Sequence, residues 1–486
     1  MKKISILLVI VGIVVGAWIG ATYVIGKQAD DRYFDSIEQY GQWGFITASS
    51  QNYSYGLLNS QVETKIEMTI PVAPADPNAI APDKENMTIV LHHTLHHGPV
   101  PFSGPEAYSP ALALIETRML SFSPADDDFE KLLQKVPELH QSTALIRVGF
   151  NGNAQTDMVI PAFEVEQDGE YVRWDGFSTT TAYSPSAETL DGNFKVHKLE
   201  MRFDDSSILW DGMHGSFDLV KELPMLYIGD SSLSFGALKM DLPAPQQDER
   251  EVLQVQPIEV IAQSSLEDGV VNIKEAIKAE GMTFNDESYG PLLFDLEMNN
   301  LDGVALSEYQ QAMMSLYTDV DIFDPDPELM VEKILPLYSD ILSKMAKRDP
   351  ELKIKQFHLM TPQGQIDGNF QMKWVGLEEF DLNDPMALLA MLQHIEADSK
   401  ISIDEALIRG FIMESTKQQM EEMKTVLPDY QYTQEELEQE VDQQMEEQLQ
   451  VLLAQNFIIR EDGKIRSSAS FKQGELMVNG AAVPLF

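Results

Sequence analysis

Four of the nine histidines stand within six residues, in the segment Leu91-His92-His93-Thr94-Leu95-His96-His97. On a helix they would form two i, i+4 pairs, a spacing with which histidines hold zinc or copper on one helix face. The surrounding residues favour a strand instead, because an apolar, β-branched run precedes the cluster and Gly98-Pro99 ends it.

A strand changes what these four side chains can do. His93 and His97 would share one face and His92 and His96 the other, and same-face residues four apart lie roughly 13 Å from each other. A metal would then need further ligands from a neighbouring strand. Three hypotheses follow for the cluster: structural histidines, which the context favours, a metal site made by all four residues, and a pH sensor.

No other segment carries a catalytic signature. The chain has no HExxH, no Gly-x-Ser-x-Gly, no Walker A loop and no GxGxxG before a helix, and without cysteine it has no thiol chemistry. Glycan hydrolysis needs only two well-placed carboxylates, so the 78 acidic residues leave a hydrolase of envelope polymers open as an alternative. We predict no cofactor and favour a protein that is not an enzyme.

The charge of the chain argues against several partners. With 78 acidic against 34 basic residues, the formal net charge is -44, and such a surface repels the phosphates of nucleic acids. It also opposes adsorption to an anionic leaflet. The absence of cysteine fits the periplasm, where this chain would fold on its hydrophobic cores without disulfides.

An uncharged run from Ile4 to Gly26 follows Met1-Lys2-Lys3. As a helix it would be about 34 Å long, which is enough to cross the hydrocarbon core of a bilayer. Trp18 and Tyr23 suit the outer interface, and the two lysines stay inside. We therefore predict a retained single-pass anchor in the inner membrane of a Gram-negative bacterium, with the bulk of the chain in the periplasm. A cleaved signal peptide is the alternative.

Hydrophobic periodicity changes along the chain. Alternating apolar and polar residues predict strands at 62–68, 87–97, 143–150, 156–166, 170–175, 193–203, 214–220, 232–241, 292–299, 352–360, 366–374, 464–471 and 475–478. Eight Asp-Gly dipeptides predict hairpin turns between antiparallel neighbours. Later residues have helical periodicity, with Pro336 expected to kink or split one helix and Thr433 and Glu436 expected to form a capping box. The predicted helices are 304–317, 327–347, 385–396, 403–425 and 433–455.

These elements predict the domain organisation and fold class. The expected domains are a transmembrane anchor at 1–26, a β-rich periplasmic domain at 27–300, a helix-rich mixed region at 301–460, and a strand pair at 461–486 that closes a sheet. The fold class is α+β: a single N-terminal transmembrane helix, then a large antiparallel β-rich region with a helical segment in the C-terminal half.

Two segments of the chain look alike. Leu190-Asp191-Gly192-Asn193-Phe194 is similar to Ile366-Asp367-Gly368-Asn369-Phe370, and each continues into an alternating strand. The similarity indicates either a weak internal repeat of a turn and a strand or chance in a β-rich chain.

Four further segments form a pattern by their order and spacing. They are Trp18-Ile19-Gly20, Tyr53-Ser54-Tyr55-Gly56-Leu57-Leu58-Asn59-Ser60, His97-Gly98-Pro99 and Val478-Asn479-Gly480. Together they resemble the YdgA-like family of bacterial envelope proteins, from which this chain departs at Ile19, where threonine is common, and at Tyr55, where arginine is common. The resemblance implies an inner-membrane anchor and a large periplasmic region, and it supplies no catalytic residues.

The functional prediction is a membrane-anchored envelope protein that binds or scaffolds. A long antiparallel sheet could present an apolar face to a lipid or to an envelope protein, and the 24 methionines suit an adaptable surface. The expected partners are the membrane, through the N-terminal helix, and a lipid or envelope protein, with no nucleic acid. The alternatives are the carboxylate hydrolase and a periplasmic metal-binding protein that uses the histidine cluster.

Overall fold

The structure, a computed structural model, describes residues 18–31, 33–35, 37, 42–43, 46–72, 83–104, 108–123, 136–167, 169–203, 205–243, 250–319, 327–377, 391–426 and 432–484. The chain forms two compact units. Unit 1 contains Met1–Ser231 and Ser307–Leu335, and unit 2 contains Ser232–Leu306 and Pro336–Phe486. Strands dominate and a few helices accompany them, so the predicted α+β class is confirmed.

The larger sheet of unit 1 is an antiparallel meander in the order β1-β2-β3-β4-β5-β6-β7-β10-β11-β14. A second antiparallel meander in the same unit has the order β8-β9-β12-β13. The strands are β1 (Gln42–Trp43), β2 (Ile46–Tyr55), β3 (Asn59–Val72), β4 (Asp83–His97), β5 (Ala113–Ser123), β6 (Thr143–Val148), β7 (Ala154–Ile160), β8 (Phe163–Gln167), β9 (Glu170–Trp174), β10 (Phe177–Ser184), β11 (Thr189–Val196), β12 (Leu199–Phe203), β13 (Ser206–Trp210) and β14 (Met213–Leu223).

Unit 2 repeats this arrangement. Its larger sheet runs β18-β19-β22-β23-β24-β25-β27, with β26 and β28 also paired to β27 and β29 paired to β28. Its smaller meander is β16-β17-β20-β21. The strands, after β15 (Leu226–Phe235), are β16 (Leu238–Pro243), β17 (Arg250–Val255), β18 (Ile258–Glu267), β19 (Val270–Ala279), β20 (Met282–Phe284), β21 (Glu287–Tyr289), β22 (Leu292–Asp302), β23 (Glu351–Thr361), β24 (Gly364–Trp374), β25 (Ile395–Asp404), β26 (Ile459–Glu461), β27 (Lys464–Lys472), β28 (Glu475–Val478) and β29 (Ala481–Val483).

Glycine and proline mark the bends at which the chain passes from one sheet to the other. Two residues separate β7 from β8, β9 from β10 and β13 from β14, and these pairs include Pro161, Gly176 and Gly212. Gly176 and Gly212 have φ values of 94° and 87°, which residues with a Cβ adopt only with strain. The hydrogen-bond ladder of one sheet stops at each of these residues, and the chain bends there and continues as a strand of the other sheet.

Five helices accompany the sheets within the described residues. They are α1 (residues 18–31), α2 (Gly303–Asp319), α3 (Pro327–Ala346), α4 (Glu405–Val426) and α5 (Gln434–Ala454). The capping box at the start of α5 is confirmed, with Thr433 and Glu436 each bonded to the other's backbone N–H. The buried stripe of α5 is the predicted one, Leu437, Val441, Met445 and Leu449.

Several sequence predictions about local structure need correction. Of the two outcomes predicted at Pro336, a split is wrong, because helix α3 runs through it, while a kink stays a prediction. The predicted helix 385–396 begins outside the described residues, and its last two residues start strand β25. Asp268-Gly269 and Asp462-Gly463 do form two-residue hairpin turns with positive φ, but Asp191-Gly192 and Asp367-Gly368 lie inside strands.

The structure describes only part of the predicted anchor. Residues 1–17 lie outside the described residues, and none of the helices that the structure does describe has the length and apolarity needed to cross a membrane. Gly26, the predicted end of the anchor, is not a structural boundary, since helix α1 continues through it to residue 31. Thr22, Gly26, Ala29 and Asp30 are buried, so this helix packs against unit 1 from its second turn onward.

Candidate functional site

The histidine cluster lies at the end of strand β4, between strands β3 and β5. The predicted strand and the predicted two faces are therefore confirmed. His93 and His97 face helix α1, where they contact Tyr33 and Gly26 respectively. His96 lies on the other face, beside Ser103 and Glu116.

His97 belongs to a buried polar network that joins helix α1 to the sheet. Its Nε2 atom lies 3.0 Å from Ser60 Oγ, and its Nδ1 atom lies 3.1 Å from the carbonyl oxygen of Leu57. Ser60 Oγ in turn donates to Asp30 Oδ2 over 3.0 Å, and the Tyr53 hydroxyl donates to the same oxygen over 2.8 Å. The exposed fractions of Ser60, His97 and Asp30 are 0%, 1% and 3%.

The donors and acceptors of this network fix one of its bonds. The Leu57 carbonyl can only accept, so Nδ1 of His97 donates to it. The Ser60 hydroxyl lies between Asp30 Oδ2 and His97 Nε2 and is within hydrogen-bond distance of both. The second carboxylate oxygen, Asp30 Oδ1, lies 3.8 Å from the same Nε2 atom.

This network does not have the arrangement of a catalytic triad. In a triad the histidine lies between the nucleophile and the acid and bonds each through a different nitrogen. Here Ser60 and Asp30 both lie at Nε2, while a backbone carbonyl occupies Nδ1. Complete burial of the serine also denies it a substrate, so the network serves to hold α1 in place.

On the same face, His93 makes a second set of contacts, all of them with uncharged side chains. Its two ring nitrogens bond the hydroxyls of Thr64 at 2.7 Å and Thr117 at 2.8 Å, and the ring of Tyr33 packs over it with the centroids 5.7 Å apart. Burial, with a smaller effect of His92, lowers the pKa of His93 to about 4. At neutral pH this imidazole is therefore uncharged and bonded at both nitrogens.

On the other face, burial lowers the pKa of His96, although Glu116 acts in the opposite direction. Its Nδ1 atom contacts Ser103 Oγ at 3.0 Å. Within the part of the chain that the structure describes, no three histidine or acidic side chains converge in a way that could hold a metal ion. The metal site at His92, His93, His96 and His97 stays a prediction, whereas the geometry of His93 and His97 is that of structural side chains.

The larger sheet of unit 2 has one apolar and one polar face. On the apolar face, three largely apolar rows run across β19, β22, β23, β24, β25 and β27 in register: Ile273-Met298-Leu352-Met372-Ala397-Phe471, Ile277-Phe294-Phe357-Gly368-Ile401-Ser467 and Ala279-Leu292-Leu359-Ile366-Ile403-Ile465. A more mixed row between the first two is Glu275-Leu296-Ile354-Phe370-Ser399-Ala469. The row beside the first, on the opposite face, is Lys274-Glu297-Lys353-Gln371-Asp398-Ser470.

The apolar face of unit 2 is not covered as a sheet in a sandwich would be. Of the side chains in its three rows, Ile465 alone is buried, under Met445 and Leu449 of helix α5. The others are half-buried, and Ile401 is 43% exposed. Six strands spaced by about 4.8 Å make this face about 24 Å wide. Large exposed apolar surfaces are uncommon on folded proteins and are typical of interaction sites.

A cavity of about 510 Å³ lies at the middle of the same strands. Phe357, Gly368, Ile401 and Ser467 of the second row line it, together with Lys355, Lys400 and Arg466. A Cβ at Gly368 would lie 3.3 Å from the Lys400 carbonyl oxygen and 4.0 Å from Ile401 Cγ1. Asp367 is the one acidic residue of the lining, so the paired carboxylates that a glycosidase needs do not meet here.

Unit 1 shows the same two-faced pattern on a smaller scale. The row Val148-Ala154-Tyr183-Leu190-Leu219 crosses β6, β7, β10, β11 and β14, and its neighbour on the other face is Arg147-Gln155-Ala182-Asp191-Asp218. All members of the first row are at least half-buried except Tyr183, which is 39% exposed.

The two similar segments found in the sequence hold equivalent positions. In strands β11 and β24 the hydrophobic residues and the glycine lie on the apolar face, and the aspartate and asparagine lie on the polar face. The expected turn is absent from both, since each segment lies within a strand. Gly192 makes room for the ring of Phe217, whose Cζ would lie 2.7 Å from a Cβ at that position.

Sequence reasoning missed two parts of these surfaces. Strands β17, β18 and β19 were not predicted, although residues 258–266 and 271–279 carry a period-2 pattern that could have revealed them. The network partners Asp30 and Ser60 gave no signal of their own, because a lone acid and a lone serine about 30 residues apart are common.

Comparison with known proteins places the chain in a family. It is 22% identical over 395 residues to Protein YdgA of Escherichia coli strain K12, which is 75% of this chain and 74% of that protein. It is 22% identical over 339 residues to an uncharacterized protein of Haemophilus influenzae, which is 65% of this chain and 87% of that protein. No solved structure matches the chain. A family model described as "Bacterial protein of unknown function (DUF945)" matches residues 1–486, so the chain belongs to that family, and the resemblance to YdgA-like proteins is confirmed.

Proposed function

We propose that this protein is a non-enzymatic envelope protein that holds the acyl chains of lipids against the apolar faces of its sheets. The observation that carries the proposal is the set of in-register apolar rows that stay half-exposed across six strands of unit 2. Covering a sheet face of this kind with hydrocarbon lowers the free energy of the system, because apolar surface is removed from water. Each methylene removed from water contributes about 0.8 kcal/mol, so ten methylenes would contribute about 8 kcal/mol before the entropy of binding is subtracted.

Acyl chains fit this surface better than a protein partner does. A protein strand would add at a sheet edge through backbone hydrogen bonds, whereas the exposed apolar area here is a face whose backbone is already paired. Flexible hydrocarbon needs no hydrogen-bond partners and adapts to rows of Leu, Ile, Phe and Met side chains. The polar row on the opposite face keeps that side of the sheet in water.

The proposal places the protein in the bacterial inner membrane with its bulk in the periplasm. It is supported by the uncharged run of residues 4–26 behind two lysines and by a chain without cysteine. Helix α1 would then connect the anchor to unit 1 without a flexible linker, because its residues from Thr22 onward pack against that unit.

Site-specific photo-crosslinking in the full-length chain tests the lipid proposal. Phe370 and Asn369 are neighbours on β24 and lie on opposite faces, and Phe194 and Asn193 form the matched pair on β11. Benzoylphenylalanine would replace one residue at a time in cells grown with radiolabelled acetate. We expect labelled lipid adducts at Phe370 and Phe194 and few at Asn369 and Asn193. Equal labelling of both faces, or none at either phenylalanine position, would remove the proposal.

A further inference from the structure

Exposed aromatic and aliphatic side chains collect around helix α1, at a place that the proposed lipid faces do not include. The aromatic patch, as we define it, consists of Tyr23 and Val24 on α1, Leu57 and Leu58 after β2, and Phe102 and Tyr108 after β4. Their exposed fractions lie between 41% for Leu57 and 69% for Tyr108. Isolated exposed apolar residues need no explanation, but a cluster of this size does.

Contacts within unit 1 divide these side chains into two groups, both of which contact helix α1. In one group the rings of Tyr23 and Tyr55 are 6.1 Å apart. In the other, Trp18 packs on Phe102 at 4.4 Å and Phe102 lies 5.7 Å from Tyr108. The Tyr55 ring stacks on His97, whose backbone N–H donates to the Leu58 carbonyl over 2.9 Å. The histidine network therefore also fixes the segment that carries two members of the patch.

Charge is almost absent from the segments that build the patch. Residues 18–26, 53–60 and 98–112 contain one charged residue, Glu106, in a chain of which 23% of the residues are charged. A cation, Lys27, lies beside this region, with its Nζ atom 5.9 Å from the centroid of the Tyr55 ring. A chain of net charge -44 meets an anionic leaflet with least repulsion at such a place.

We infer that the aromatic patch rests in the headgroup region of the membrane that the proposed N-terminal anchor enters, so the inference rests on that part of the proposed function. Three observations point to a bilayer as the occupant. The patch includes residues of α1 that belong to the uncharged run 4–26. Two of its six residues are tyrosines, and Trp18 packs on a third aromatic member, Phe102. Lys27 lies beside the patch, where its ammonium group would suit a lipid phosphate. The inference does not depend on acyl chains binding to the sheet faces.

This contact would orient unit 1 on the membrane. A single helix with a flexible linker would leave a periplasmic domain free to rotate. A second contact through Leu57 and Leu58 and through Phe102 and Tyr108 fixes a plane, because the first pair follows β2 and the second pair follows β4, and both strands are paired with β3. Unit 1 would then lie against the leaflet.

The cysteine-free chain allows a direct test. Single-cysteine variants of the full-length protein, Leu58→Cys and Tyr108→Cys, would be labelled with the polarity-sensitive fluorophore NBD and reconstituted in phosphatidylcholine vesicles. Val159→Cys is the matched control, because Val159 is 49% exposed on strand β7 and is not in the patch. Nitroxide groups on the lipid acyl chains quench a fluorophore only when it is close to the leaflet.

We expect lipid nitroxides to quench the labels at Leu58 and Tyr108 at least 3-fold more than the label at Val159, a fold-change of about 0.6 kcal/mol at RT ln 3. Aqueous iodide should show the reverse order. Equal quenching by lipid nitroxides at all three sites would overturn the inference. Shielding of the two patch labels from iodide without lipid quenching would also overturn it, since that result means that a second copy of the chain covers the patch.

Discussion

A substitution at Gly26 tests how tightly helix α1 is held on the sheet. A Cβ at this position would lie 2.7 Å from Cγ and 2.8 Å from Cε1 of His97, closer than packed carbon atoms approach. Overpacking of this kind costs about 1–3 kcal/mol. Gly20 lies on the same helix with no atom within 4 Å of its ideal Cβ, so Gly20→Ala is the matched control.

Both substitutions improve helix propensity by the same amount, about 0.5–1 kcal/mol, so this effect cancels when they are compared. The remaining difference is the clash, about 1–3 kcal/mol, which corresponds to about a 5- to 150-fold change in the equilibrium for local opening. Hydrogen–deuterium exchange of the peptide that contains residues 18–31 measures this ratio directly. We expect faster exchange in Gly26→Ala and slower exchange in Gly20→Ala, each relative to the native chain.

A double substitution shows whether His97 is the cause. In a His97→Ala background the ring is gone, and Gly26→Ala should then slow exchange as Gly20→Ala does. If Gly26→Ala slows exchange in the native background to the same extent as Gly20→Ala does, helix α1 does not pack closely on His97. The proposal that α1 connects the anchor to the sheet without a flexible linker would then lose its physical basis.

Three further predictions concern the rest of the fold. The pKa of His93 is about 4 in the folded protein against 6.5 in the unfolded chain, so protons favour unfolding, and stability should fall by up to about 3 kcal/mol between pH 6.5 and pH 4. Exchange of β4 amides across that range measures this, and His93→Gln should flatten the slope. Gly192→Ala should destabilise unit 1 by about 1–3 kcal/mol because its Cβ meets the Phe217 ring. Gly368→Ala should cost less, because its Cβ would lie 3.3 Å from the Lys400 carbonyl oxygen, as thermal unfolding of the two variants would show. Arg460→Met removes ion pairs to one residue of α4 and one of α5, and should speed exchange of residues 434–454 by about 5- to 30-fold, for a loss of about 1–2 kcal/mol. Unchanged exchange there would show that hydrophobic packing alone holds α5.

The histidine network explains why α1 and the histidine cluster belong together. Asp30 is buried, and an acid in that position costs several kcal/mol unless it is paired. Ser60 and Tyr53 donate to one oxygen of Asp30, and His97 lies 3.8 Å from the other. Partial burial together with the bond to Asp30 raises the pKa of Tyr53 to about 12. A histidine segment that suggested metal chemistry in the sequence therefore contributes to holding helix α1 on the sheet.

Local patterns in the sequence were enough for the elements whose physics is local. The alternation of residues 87–97 and the Gly98-Pro99 end gave strand β4 and the correct faces of all four histidines, because side-chain direction in a strand has a fixed period of two. The capping box at Thr433 and the buried stripe of α5 were predictable for the same reason, since both depend on residues within a few positions of each other.

Tertiary structure decided what no local pattern contains. Asp-Gly became a hairpin turn at residue 268 but a strand interior at residues 191 and 367, because neighbouring strands on both sides supplied hydrogen bonds that outweighed the turn preference. The apolar rows of unit 2 exist only through the register of six strands, and the pairing of Asp30 with His97 joins residues 67 positions apart. Sequence alone determined which way each side chain points along its own strand, whereas long-range pairing determined which side chains share a surface, because register is a property of two strands and not of one.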